Sequence, residues 1–299
     1  MKLISEGEAL ATGRHGTPDG RTESVICPID RKNRGSTLLV FVPGLAGNAR
    51  QWDLVLPQLD DLPVDFAYGA PLHGANPTAP ALARAYAEEL RRENRRDVVL
   101  VAHSVGTFVA LGVAHHASDI VKEVIAVNGG LTIAARFLNR PIRTFRERPR
   151  DCLNALRLFA LVGTPAPPPV KRAIANSERW SRIVFGSLVS DAALKSVERR
   201  RIVAEEGGKP AAMLTLWSNR HHWREFCSYA DDISSRCVFL AGGRDPVAKV
   251  SDTWDMAELL RSAKTEVKPL EGVGHAAPVE NPERVSALIR ESLAALSLG

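Results

Sequence analysis

Cysteine is scarce in this chain. Cys27, Cys152, Cys227 and Cys237 are the only four in 299 residues, and no two of them form a C-x-x-C pair. That excludes a zinc ribbon and a thioredoxin-type redox motif, and it leaves thiols expected to be free and mostly buried. Long apolar runs are missing as well. No stretch approaches the roughly 20 apolar residues of a membrane span, and MKLISEGEALATGRHG at the amino terminus holds no apolar core of signal-peptide length. A soluble, cytoplasmic chain with no membrane span is the expectation. Charge of one sign is also in short supply: a net charge of +5 is modest for this length and gives no argument for nucleic acid. Neither the pair His115–His116 nor the pair His221–His222 falls into H-E-x-x-H or a comparable ligand pattern, so no metal is expected. The stretch GLAGNA lacks both G-x-G-x-x-G and the P-loop lysine, so no nucleotide cofactor is expected either.

What is present describes an ordinary globular chain, 45% hydrophobic and 24% charged, able to bury a large core. Apolar runs rich in Val, Leu and Ile recur: STLLVFVP at 36–43, VDFAY at 64–68, DVVLVAHS at 97–104, EVIAVN at 123–128, CVFLAG at 237–242 and TEVKPLEG at 265–272. Helical patterns lie between several of them, as in ALARAYAEELRRENR, where Leu82, Tyr86 and Leu90 share one face. Continuous apolar strands alternating with helices predict an α/β fold, a mostly parallel sheet with helices on both faces. From Leu131 to about Glu225 the rhythm breaks, with no comparable strand and with Pro165, Pro167, Pro168 and Pro169 interrupting a helical pattern. The reading is a core of residues 1–130 and 226–299 with a helical cap insertion at 131–225.

One serine stands out. Ser104, in VVLVAHSVGTFVAL, sits where an apolar strand turns abruptly into an apolar helix, and Ala102 and Gly106 on either side are small enough for strand and helix to approach closely. A serine capping a helix after a buried strand is the competing account. Two further placements decide between them. CVFLAGGRDPVAKV gives a strand, a Gly-Gly turn and Asp245; TEVKPLEGVGHAAPVENPERV gives a strand, a glycine-flanked loop and His275. A serine hydroxyl is a poor nucleophile until a histidine takes its proton and a carboxylate orients that histidine. In A-H-S-V-G and in the chain order Ser104, Asp245, His275, the sequence resembles the α/β-hydrolase superfamily over residues 36–130 and 237–295. The resemblance implies a capped serine esterase or lipase-like hydrolase. Ser104 would be its nucleophile, His275 its base and Asp245 its acid, with Asp252 and Asp255 as rivals for the acid. It also implies an oxyanion hole from the backbone amides of Val105 and Leu45, the latter in LLVFVPGLAGNARQWD, where Pro43 replaces the family's usual histidine. Trp52 and His103 are expected to pack, the latter beneath the turn.

The same machinery serves lactonases, amidases, carbon–carbon bond hydrolases and cofactor-free haloperoxidases, and a ligand receptor can keep the fold without turnover. A serine nucleophile argues against the dehalogenase branch. The substrate must be read from the insertion, which carries 18 Lys plus Arg against 8 Asp plus Glu, a balance of +10 where the rest of the chain is −5. A basic cap suits a small-molecule ester or acyl substrate that is anionic; the alternative is a solvated surface, with RERPR and ERRR facing water. Phe137, Phe159, Trp180, Phe185 and Trp217 are the candidates for lining an apolar acyl pocket.

Overall fold

The computed structural model describes residues 24–29, 35–45, 49–72, 78–130, 141–153, 156, 160, 165–206 and 222–297. Seven strands form one sheet: β1 (Ile26–Ile29), β2 (Thr37–Val42), β3 (Asp65–Gly69), β4 (Asp97–His103), β5 (Val121–Val127), β6 (Arg236–Gly242) and β7 (Thr265–Leu270). Their spatial order is β1-β3-β2-β4-β5-β6-β7, and every neighbouring pair is parallel except β1 with β3. β1 escapes the sequence reading because it is a four-residue edge strand, ICPI, whose Pro28 can give the ladder no N–H. The six longer strands fall within three residues of the predicted runs.

Burial on both faces explains the unbroken apolar runs. Leu38, Val40, Val98, Leu100 and Ala102 point into one core, while Leu39, Phe41, Val99 and Val101 point into the other, alternating as a pleated strand must. Each such side chain stabilises the fold by roughly 1.5–3 kcal/mol through water exclusion. The first core is covered by α1 (Ala79–Arg92) and α2 (Gly106–His116). Thr78 starts α1 by accepting the Ala81 N–H, and Leu82, Tyr86 and Leu90 are fully buried on its inner face, as their spacing predicts. Trp52 fills the second core against Phe41, with ring centroids 5.2 Å apart.

Between β5 and β6 the described residues carry helices and no strand: α3 (Pro141–Glu147), α4 (Pro168–Asn176), α5 (Glu178–Phe185), α6 (Asp191–Leu194), α7 (Val197–Glu206) and α8 (His222–Tyr229). Three more follow: α9 (Val250–Ala257), α10 (Ala277–Glu280) and α11 (Pro282–Ser297). Helices α4 to α7 share a small core built on Ala175, Phe185, Leu194, Ile202 and Val203, which closes against Val279 of α10. One expectation is corrected here. Arg200, in the run ERRR, does not face water: it is buried and donates to the carbonyls of Ala175 (2.7 Å), Leu194 (2.6 Å) and Lys195 (3.0 Å), three helix-end acceptors that would otherwise lack a partner. The cysteines are free; Cys152 and Cys237 are buried, Cys27 is half-buried and Cys227 is exposed.

Candidate active site

Ser104 is the first of the two turn residues between β4 and α2, with φ at +52°. A left-handed conformation costs a non-glycine residue roughly 1–2 kcal/mol, so neighbours must hold it there. The Ser104 N–H donates to Val127 O and the Thr107 N–H donates to Ser104 O, both at 3.0 Å. The smallness of the flanks is a steric demand: a Cβ on Gly106 would lie 2.4 Å from the Pro43 carbonyl, and one on Gly44 would lie 3.2 Å from the Ser104 Cβ. Those clearances bring the end of β2, and with it Leu45, beside the serine.

Asp245 and His275 stand on loops just past the carboxyl ends of β6 and β7, at the end of the sheet where Ser104 emerges from β4. His275 Nδ1 donates to Asp245 Oδ2 at 2.8 Å, and Ser104 Oγ donates to His275 Nε2 at 3.0 Å. The three residues nominated from sequence are thus brought into one hydrogen-bonded chain. Asp245 Oδ2 also accepts Asn128 Nδ2 (2.7 Å), while Oδ1 accepts the amides of Val247 (2.7 Å) and Ala248 (3.0 Å). Burial pushes the Asp245 pKa up, but the His275 imidazole, its hydrogen bond, Asn128 and the Ala248 amide outweigh it, and the carboxyl is held below the usual carboxylate range. It stays a charged acceptor, which fixes the His275 tautomer.

One rival is engaged elsewhere: Asp252, fully buried in α9, takes Arg148 at 2.7 Å, while Asp255 lies exposed on the same helix. Asn128, at φ +50°, bridges Asp245 and the Gly274 carbonyl (2.8 Å). His103 lies buried under the turn, as expected, and adds a contact the sequence did not signal: its Nε2 donates to the His275 carbonyl at 2.8 Å. Burial, and then the nearby His275 ring, push His103 down to about 4, so it is neutral at ordinary pH. Val105 follows Ser104 directly in the turn, and Leu45 follows Gly44, where a Cβ would lie 3.2 Å from the Ser104 Cβ. Among the described residues no cluster of three or more His, Cys, Asp or Glu side chains is placed to share a metal ion. Nor is any described helix long and apolar enough to cross a membrane.

Of the candidate pocket residues, Phe137, Phe159 and Trp217 lie outside the described residues, as does His221. Phe185 is buried within the packing of α4 to α7, and Trp180 on α5 is 58% exposed. A carboxylate the sequence reading passed over, Glu280 in HAAPVENP, is buried against the His275 loop. Its only sequence signal is its place five residues after the histidine.

The family model for the alpha/beta hydrolase family matches residues 39–288, and the chain belongs to that family. Solved structures agree in fold. BpoC from Mycobacterium tuberculosis, a candidate non-heme bromoperoxidase, superposes with a TM-score of 0.66 at 16% identity, over 94% of this chain and 99% of that one. MenH from S. aureus gives 0.63 at 15% identity, over 91% and 99%. A thermophilic esterase from Thermogutta terrifontis gives 0.57 at 18% identity, over 90% and 93%. No curated protein matches the sequence.

Proposed function

We propose that this hydrolase-family member is a serine hydrolase that cleaves a carboxylic ester or thioester through an acyl-Ser104 intermediate, with no cofactor. The observation that carries the reading is the linked geometry of Asp245, His275 and Ser104, at 2.8 and 3.0 Å, with the serine at positive φ above the sheet. As Ser104 Oγ bonds to the acyl carbon, its proton passes to His275 Nε2, and the leaving alcohol or thiol then departs with that proton. Water repeats the cycle on the acyl-serine, releasing the acid and restoring Oγ–H. Asp245 remains ionised throughout and stabilises the imidazolium between the two transfers. The Leu45 and Val105 amides hold the oxyanion of each tetrahedral intermediate.

In this reading α3 to α7 lie in a cap, 131–225, over the carboxyl ends of the strands. What supports it is the shared packing of α4 to α7 with α10, next to the His275 loop. The substrate is a small acyl compound bearing negative charge, drawn by the cap's +10 balance. Activities named for the structural relatives belong to those proteins; at 15–18% identity only the fold is shared.

A fluorophosphonate probe tests the nucleophile. The folded protein is expected to gain one phosphonyl group on the peptide bearing Ser104, and Ser104→Ala to gain none. Failure of the folded wild type to label overturns the activated-serine reading. Labelling without turnover across a broad panel of esters and thioesters replaces hydrolysis with ligand reception on the same fold.

A further inference from the structure

Asp245 and Ser104 hold the ring of His275, and three further elements grip its backbone. The His275 N–H donates to Leu188 O at 2.7 Å, in the turn between α5 and α6, and the His275 carbonyl accepts His103 Nε2 at 2.8 Å. The two residues flanking His275 both give their N–H groups to one side chain: Gly274 to Glu280 Oε2 at 2.9 Å and Ala276 to Glu280 Oε1 at 3.1 Å. The same Oε2 accepts the Ser190 N–H at 2.8 Å, again from the α5–α6 turn. Fit is tight, since a Cβ on Gly274 would lie 2.4 Å from Leu188 O and 2.9 Å from Glu280 Oε1. The α7 guanidinium of Arg199 closes the arrangement by donating to the Glu280 backbone carbonyl at 2.8 Å.

We propose, resting on the acyl-serine reading of the site, that Glu280 is a positioning residue: its carboxylate clamps the amides on both sides of His275 and ties them to the 186–190 turn of the insertion. His275 then keeps its place only while that turn is docked. The clamp needs both carboxylate oxygens. Glutamine has the same shape but a single acceptor oxygen, with an NH2 group in place of the other. Glu280→Gln must therefore give up either Ala276, or Ser190 and Gly274 together, and the NH2 is left facing an N–H. The loop shifts, and His275 moves relative to Ser104. A misplacement of about 1 Å in a reacting group lowers rate on the order of 10²-fold.

A buried carboxylate with a purely structural duty supplies the control. Glu89, at the opposite edge of the sheet, accepts the N–H groups of Val25 (2.7 Å) and Ile26 (3.3 Å) and the Ser24 hydroxyl. In Glu280→Gln the rate of fluorophosphonate reaction at Ser104, normalised to the sites finally labelled, should fall about 10²-fold. Glu89→Gln should lower Tm and leave that normalised rate unchanged. A second readout needs no reactivity: the downfield NMR proton on His275 Nδ1, which reports its bond to Asp245, should broaden or shift in Glu280→Gln and stay put in Glu89→Gln. If Glu280→Gln keeps both the wild-type normalised rate and the wild-type proton signal, or if Glu89→Gln reproduces its losses, the positioning role is overturned. An unreactive wild type would overturn the acyl-serine reading instead, and the clamp would stand or fall on the proton signal.

Discussion

Asp245 and Asp252 are both buried carboxylates, and what each one touches separates their duties. Asp245→Asn keeps the shape but turns an acceptor toward His275 into an ambiguous amide, so the imidazole loses its tautomer and orientation. Steady-state kinetics on an activated ester should show kcat down by roughly 10⁴-fold in a chain that stays folded. Asp252→Asn should do the reverse. It weakens the 2.7 Å pair with Arg148 and is expected to lower stability by about 1–3 kcal/mol in urea titration while kcat holds. Exchange of those two outcomes would move the acid to Asp252. His103 governs a pH effect. Its pKa is about 4 in the fold against 6.5 in the open chain, so as pH falls below 6.5 the unfolded chain binds the proton first. Stability is thus full above pH 6.5 and lost between there and pH 4, by about 3 kcal/mol at most. The lowered Asp245 pKa adds a loss of the same sign at lower pH. His103→Gln can still donate to the His275 carbonyl but does not titrate, so its urea midpoint should change less than the wild type's between pH 7 and pH 4.5. An equal drop would mean that His103 is not the group responsible.

At the scale of the element, the insertion helices hang on one buried guanidinium. Arg200→Met keeps the apolar stem but leaves the carbonyls of Ala175, Leu194 and Lys195 without their donor, a loss on the order of 2–4 kcal/mol. Because those carbonyls lie within 175–195, hydrogen exchange should speed up across α4 to α7 while the amides of β4 and β5 stay protected. Uniform deprotection of sheet and insertion would show that the two unfold together. Arg200 also marks where sequence reading stops. Hydrophobic alternation locates β2 to β7 because a strand buried on both faces must be apolar throughout, and no charged run mimics that. A charged run carries no such sign of direction: Arg200 and Arg201 are neighbours, yet one donates inward to three carbonyls and the other donates to Asn176 at the surface. Nor does periodicity identify a four-residue edge strand with a proline in it, since pairing with β3 rather than pattern makes β1 a strand.

Across the whole molecule, the candidate site was legible because Ser104, Asp245 and His275 each follow an apolar strand in a fixed chain order. Asn128 and Glu280 were not, because an amide or carboxylate that grips backbone groups has no motif; only the folded loops bring Gly274 to both. The same limit applies to charge. The insertion's +10 balance says nothing by itself about where the cations gather, but the fold collects some of them. Lys171, Arg172 and Arg201 join Arg50 of the core in lining a cleft of about 570 Å³ between α4, α7 and the 3₁₀ turn at Ala49–Trp52, with Glu205 as its acid, paired to Arg50 at 2.8 Å. Burial pushes the Lys171 pKa down, a sign that this cation is drawn out of water. If this cleft draws anionic substrates, kcat/KM for a carboxylated ester should fall steeply from low to high salt, because steering is screened over a Debye length of about 8 Å at physiological ionic strength. A neutral ester of equal acyl length should barely respond, since apolar burial is not screened. Replacing Lys171, Arg172 and Arg201 together by Gln should flatten the response to the anionic ester and spare the neutral one. Arg200 is left out because its loss disturbs packing. Equal salt sensitivity for both esters, or a triple variant with the wild-type slope, would make the basic balance a solvation feature of the insertion and shift the substrate toward a small neutral ester.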